Sequence, residues 1–164
     1  MIAHETLKLN LANAIAADPE ITALAVENFG RGLDVIVNRY GAQGFPGEKQ
    51  APFCFIYSDG ENELGDVGER TFEIVVVVGG VDRSATPRVH RVAERTEQAS
   101  GVVVYGIQGV LEELREKVMK LAEKSVHGAI FNTATESENS LLDYPLEWSK
   151  ARLNYYEPET LDKE

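Results

Sequence analysis

The sequence is poor in the residues that usually carry a covalent or metal-dependent chemistry. It has one cysteine, three histidines, one tryptophan and two methionines in 164 residues, and only 16 basic side chains against 27 acidic ones. A lone cysteine excludes an intramolecular disulfide, and Cys54, set in the apolar run "PFCFIY", reads as a buried, inert thiol. His4, His90 and His127 stand far apart and give no zinc-ligand spacing. No apolar stretch approaches the roughly 20 residues of a membrane-spanning helix. The segment "MIAHETLKLNLANAIAADPE" lacks a basic region followed by an uninterrupted apolar one, so the expectation is a soluble protein of the cytoplasm, with no membrane partner. The net charge of -11 and pI near 4.8 oppose non-specific attraction to nucleic-acid phosphates, and no sequence-specific nucleic acid is expected as a partner.

What is present is a pattern of alternating and helical periodicities. Leu7, Leu11, Ala14 and Ile15 recur at helical spacing until Asp18-Pro19, and a short further turn of helix reaches Ala25. "LDVIVNRY" alternates as a strand, "GAQGFPGEKQ" reads as a loop, and "APFCFIYSDG" and "RTFEIVVVV" read as two more strands, most simply an antiparallel hairpin. Ile107, Leu111, Leu114, Val118 and Leu121 form the strongest helical stripe, with acidic residues early, basic residues late and Gly128 placed to end it. "TATESENS" reads as a polar loop, "EWSKARLNYY" as a last strand, and the chain from about residue 158 as a frayed charged tail. The expected fold is one α+β domain over residues 1–164, with an antiparallel or mixed four-stranded sheet and two main helices on one face.

Each chemical motif is incomplete. "RTFEIVVVVGGVDRS" looks like a strand and glycine turn for a dinucleotide, yet the second spacing of G-x-G-x-x-G fails and no helix alternates with the strands. It is read as a strand with a flexible exit at Gly79-Gly80. The loop bearing Asp59, Glu61, Glu63, Asp66 and Glu69 offers oxygen ligands to a hard cation, but an EF-hand would need glycine at Leu64 and glutamate at Arg70. Ser58 lacks a G-x-S-x-G context and a histidine partner. No catalytic residue, metal ligand or cofactor site is therefore assigned.

Two features point to an interface instead. Arg83, Arg88, Arg91 and Arg95 cluster in an otherwise acidic chain, as a partner-docking arm or as the solvated side of a short helix begun by Thr86-Pro87. Strand alternation places Val35, Val37, Phe53, Phe55, Phe72, Ile74, Val76, Leu153 and Tyr155 on a face for the helices. It leaves Ile36, Cys54, Ile56, Val75 and Val77 on the other. An apolar second face needs a cover, and the candidates are the "GAQGFPGEKQ" loop or a neighbouring subunit. The candidate interface residues are thus Arg83, Arg88, Arg91, Arg95, Ile36, Ile56, Val75 and Val77.

The order and lengths of "ETLKLNLANAIAADPEITAL", "PFCFIYSDG", "RTFEIVVVVGG", "VLEELREKVMKLAEKSV" and "EWSKARLNYYEPE" resemble the tail terminator, or tail-completion, proteins of long-tailed bacteriophages and prophages. The resemblance covers nearly the whole chain and lies in pattern, without a short invariant motif. It implies a structural, non-enzymatic virion protein that self-associates into a ring, commonly six-fold, caps the tail tube and stops its polymerisation. The tail tube protein and the head-tail connector protein would be its partners. It would be made in the host cytoplasm and end at the head-proximal end of the virion tail. The alternatives are a head-tail connector protein, or a small α+β ligand-binding or enzymatic domain.

Overall fold

A computed structural model describes residues 4–38, 45–64, 69–82, 89–93, 97–98, 102–124, 129–140 and 145–158. The fold is α+β, as the periodicities predict. Helix α1 spans His4–Ala17 and α2 Pro19–Phe29. Asp18 separates them and starts the second: its side chain accepts from Glu20 N at 3.0 Å, and Pro19 fills the first turn, where no amide is needed. The short turn expected up to Ala25 is thus a full helix, giving three helices with α3, Gln108–Ala122. The α3 stripe turns Leu111, Leu114, Val118 and Ala122 inward, and Leu121, half-buried, packs against the same core. The helix ends before Gly128, which lies outside the described residues. Its last turn is held from the sheet: the Tyr155 hydroxyl donates to Ala122 O at 3.0 Å, and burial raises the phenol's pKa.

Among the described residues the main sheet has five strands rather than four. They are β1 (Asp34–Val37), β2 (Phe53–Leu64), β3 (Glu69–Val81), β6 (Ile130–Asn139) and β7 (Leu146–Pro158), in the order β1-β2-β3-β7-β6. The β1–β2 pair is parallel and all other pairs of this sheet are antiparallel. The extra strand, β6, is most of the stretch read as a polar loop. It is an edge strand with two register shifts against β7, and an edge that meets water favours polar side chains over apolar alternation. A separate ribbon, β4 (Val89–Ala93) with β5 (Val102–Tyr105), lies between β3 and α3 in sequence.

The three helices cover one face of the sheet. Leu7, Leu11, Ile15, Ile21, Ile107, Leu111, Leu114 and Val118 pack with Cys54, Ile56, Phe72, Ile74, Val76, Val78, Leu153 and Tyr155 in one core. Strand β2 therefore sits in the phase opposite to the one expected. Cys54 and Ile56 face the helices, and Phe53 and Phe55 face away, because they pair with Gly79 and Val77 of β3.

Gly79 and Gly80 are not a flexible exit. Both are buried inside β3, and each makes room for an aromatic ring on a different face. A Cβ at Gly79 would lie 2.2 Å from Phe53 Cζ, and one at Gly80 would lie 2.7 Å from two ring atoms of Phe29. The ring of Phe53 thus covers backbone that glycine leaves bare, the usual reason for glycine inside a strand. Gly79→Ala is expected to destabilise the protein by about 1–3 kcal/mol through overpacking. In a Phe53→Ala background most of that cost should vanish, and additive urea-denaturation energies in the double-mutant cycle would refute the ring-on-glycine account.

Candidate interaction surface

The second face of the sheet divides into an aromatic half and a charged half. Val75, Val77, Phe53 and Phe55 lie at its centre, fully or almost fully buried, with Ile36, Tyr57, Val81, Leu146 and Trp148 half-buried around them. Phe45 packs over this cluster, its ring centroid 6.1 Å from Phe53, 5.7 Å from Phe55 and 6.3 Å from Trp148. Pro46 and Ala51, from the same segment, are buried. Towards the other end of β7, Lys150 pairs with Glu138 at 3.0 Å and Arg152 with Glu73 at 3.6 Å. The Lys150 ammonium also lies 5.7 Å from the Trp148 ring centroid. Such long side chains bury their stems on apolar surface while the charge stays wet, which helps to cover Val75 and Val77.

Of the interface residues predicted from sequence, Ile36, Val75 and Val77 lie on this face. Ile56 does not: it pairs with Val76, points into the helix-covered core and is fully buried. The cover predicted as the alternative to a neighbour is in place over the face's centre, since the segment from Phe45 to Ala51 runs there. Phe45 itself remains 47% exposed.

Arg91 lies in β4, so the residues after Pro87 form a strand where a short helix had been one reading. Arg83, Arg88 and Arg95 lie outside the described residues. Strand β5 went unread, although "VVVY" ahead of Gly106 is a β-branched run with a turn residue behind it. Among the described strands, the ribbon hydrogen-bonds to none of the main sheet.

At the root of the ribbon is a polar cluster that no sequence signal announced. Glu147, the second residue of β7, accepts from Ile107 N at 3.1 Å, the residue that precedes α3. Burial raises its carboxyl pKa first, and the nearby Asp82 charge adds to this, against hydrogen bonds from Ile107 and Gln108. Gln108 Nε2 donates to Ser140 Oγ at 3.0 Å, and Ser140 Oγ accepts from Trp148 N at 2.9 Å. Deeper along α3, Arg115 donates to Ser149 Oγ at 2.8 Å, Ser149 donates to Asn139 at 2.6 Å and Asn139 donates to Glu112 at 2.7 Å. Two buried atoms of this layer, Gln108 Oε1 and Arg115 Nε, lack a protein partner.

The described residues contain no group of three or more His, Cys, Asp or Glu side chains placed to hold a metal ion. The acidic stretch is an extension of the β2–β3 hairpin, with Leu64 paired to Glu69, and its side chains lie outside the description, as does Asp66. Cys54 is fully buried and its thiol is pushed up to about 12, so it is not a thiolate nucleophile. A groove of about 560 Å³ between the α1–α2 turn and α3 is bordered by Lys117, Lys120 and Lys124, with Lys117 3.6 Å from Glu20. No described helix is long and apolar enough to cross a membrane. No family model and no curated protein matches the chain.

Trp148 is the single tryptophan and reports on the cover of the second face. Phe45→Ala is expected to shift its emission to longer wavelength and to cost about 1 kcal/mol of stability, less than a fully buried ring because Phe45 is half exposed. Unchanged emission would mean that Phe45 does not seal this face in solution.

Proposed function

We propose that this chain is a structural, non-catalytic protein of a phage or prophage tail, a tail terminator that caps the tail tube and presents a docking surface to the head connector. The observation that carries the reading is the β4–β5 ribbon. A two-stranded ribbon is marginal by itself in water, and among the described strands this one pairs with none of the main sheet. It belongs to the only arginine-rich stretch of an acidic chain, Arg83 to Arg95. Such an element suits a partner protein that completes its packing and supplies opposite charge.

The mechanism is geometric. Copies associate into a closed ring, one rim binds the last ring of tube protein, and the surface on which another ring would add is covered. Since Val75 and Val77 are fully buried within the chain itself, the ribbon and its arginines take the contact role. The particle is assembled in the host cytoplasm. A second reading, a small anion-binding α+β domain, draws on the lysine-bordered groove; a rise in Tm with phosphate compounds would favour it.

Light scattering of the purified protein, alone and with tail tube protein, tests the first reading. A discrete ring-sized oligomer, formed alone or on adding tube protein, is expected, and a strict monomer that never joins a tube would overturn it. Charge reversal at Arg88 and Arg91 together is expected to lower tube binding at least tenfold with Tm unchanged. Unchanged tube binding would remove the arginines from the interface.

A further inference from the structure

The β4–β5 ribbon leaves the sheet at Asp82 and returns through Gly106, and the first residues of β7 hold both roots. On the outgoing side, Gly80 and Val81 pair with Glu147 and Leu146, and Asp82 N donates to Pro145 O at 2.9 Å. On the returning side two residues, Gly106 and Ile107, separate the end of β5 from the start of α3. Both are constrained. Gly106 has φ +75, a conformation that favours glycine. Ile107, 2% exposed, belongs to the core under the helices, and its carbonyl accepts the first α3 bond from Leu111 N at 3.1 Å.

The start of α3 has no cap of its own. A helix start usually draws on a side-chain oxygen of the flanking residue, or on a glutamate or glutamine three residues later that accepts from the flanking amide. Here those positions are Ile107 and Val110, neither of which has an acceptor in its side chain. The acceptor comes from the sheet instead: Ile107 N donates to Glu147 Oε2 at 3.1 Å, 40 residues away in the chain. The same carboxylate lies against Gly106, where a Cβ would come 2.8 Å from Oε1 and 3.0 Å from Oε2. The next residue is tied to the same strand end, since Gln108 Nε2 donates to Ser140 Oγ at 3.0 Å and that oxygen accepts from Trp148 N at 2.9 Å.

We infer that Glu147 is the positioning residue of the β4–β5 ribbon: its carboxylate caps α3 and seats against Gly106, so that the ribbon and the first turn of α3 are held, and released, as one unit. The reach of the side chain decides this rather than its charge, because the bond needs an acceptor oxygen at the Ile107 amide and the contact needs that oxygen over Gly106. With two pinned residues between them, β5 cannot change direction without moving the start of α3. A partner that grips the ribbon therefore also fixes the start of the helix. The inference rests on the proposed function only in treating the ribbon as a contact element; the mount itself follows from bonds within the chain.

Hydrogen exchange of the full-length protein at one pH, read by mass spectrometry on peptides from β4, β5 and the first turn of α3, tests it without any partner. Peptides from β3 serve as the internal reference. Leaving a buried amide without its acceptor is enough to shift a local opening equilibrium about tenfold. Glu147→Asp keeps the charge but withdraws it by one methylene, and is expected to lower the protection of the ribbon and of the α3 start together by about tenfold relative to β3. Glu147→Gln keeps an acceptor oxygen at the original reach and is expected to retain wild-type protection in both. Unchanged protection in Glu147→Asp, a loss confined to the ribbon or to the helix start, or an equal loss in Glu147→Gln would overturn the inference. Should Glu147→Asp not fold, Gly106→Ala, whose Cβ meets the carboxylate, decides in its place, with unchanged protection of the two segments as the negative result.

Discussion

Strand β3 is buried on both faces over its middle third, and the rest of the molecule answers that constraint. Ile74, Val75, Val76, Val77 and Val78 are all fully buried, hydrogen-bonded on one side to β2 and on the other to β7. A strand of this kind in a largely antiparallel sheet needs a layer on each side. The helices supply one layer with the α3 stripe and the inner sides of α1 and α2. The other layer is thin and consists of Phe45, the aromatic side chains around it and the stems of Lys150 and Arg152. Gly79 and Gly80 extend the same arrangement, one ring lying on each side of the backbone.

The thin layer follows from topology. Strands β1 and β2 run parallel, so the chain leaving β1 has to return the length of the strand before β2 begins. The segment that re-enters at Phe45 lies across the aromatic side of the sheet and packs on Phe53, Phe55 and Trp148. Closing a parallel pair and covering the second face are thus one event. This is why an apolar face that looked free for a neighbour is largely occupied by the chain itself, and why the ribbon, rather than Val75 and Val77, carries the argument for a partner.

The polar layer under α3 has a different role. It joins the helix to β6 and β7 through directional bonds, from Glu147 at the helix start to the Arg115–Ser149–Asn139–Glu112 chain two turns on. Hydrogen bonds of this kind contribute about 1 kcal/mol each, but leaving one buried member unpaired costs more, so the layer specifies how α3 sits on the sheet. Its outer end is the root of the ribbon, so the packing of α3 and the attachment of β4–β5 are linked.

Local sequence determined the element types wherever a segment has one wet face and one dry face. The α3 stripe, the alternation in β7, the α1–α2 break at Asp18-Pro19 and the β2–β3 hairpin were all legible, because period and turn chemistry act over a few residues. Strand β6 was hidden by its polar edge character, and β5 by its brevity. The phase of β2 was not legible: "PFCFIY" is apolar at every position, so nothing in it tells Phe55 from Ile56, and only pairing with Val77 and Val76 decides which faces the helices. The same holds for Gly79-Gly80, whose meaning depends on rings brought from residues 53 and 29. It holds also for the hydrogen bond from Ile107 N to Glu147, 40 residues apart in the chain. Period, charge and turn chemistry were properties of the sequence itself, whereas register, cover and the joining of distant polar groups depended on long-range pairing, which tertiary structure alone decides.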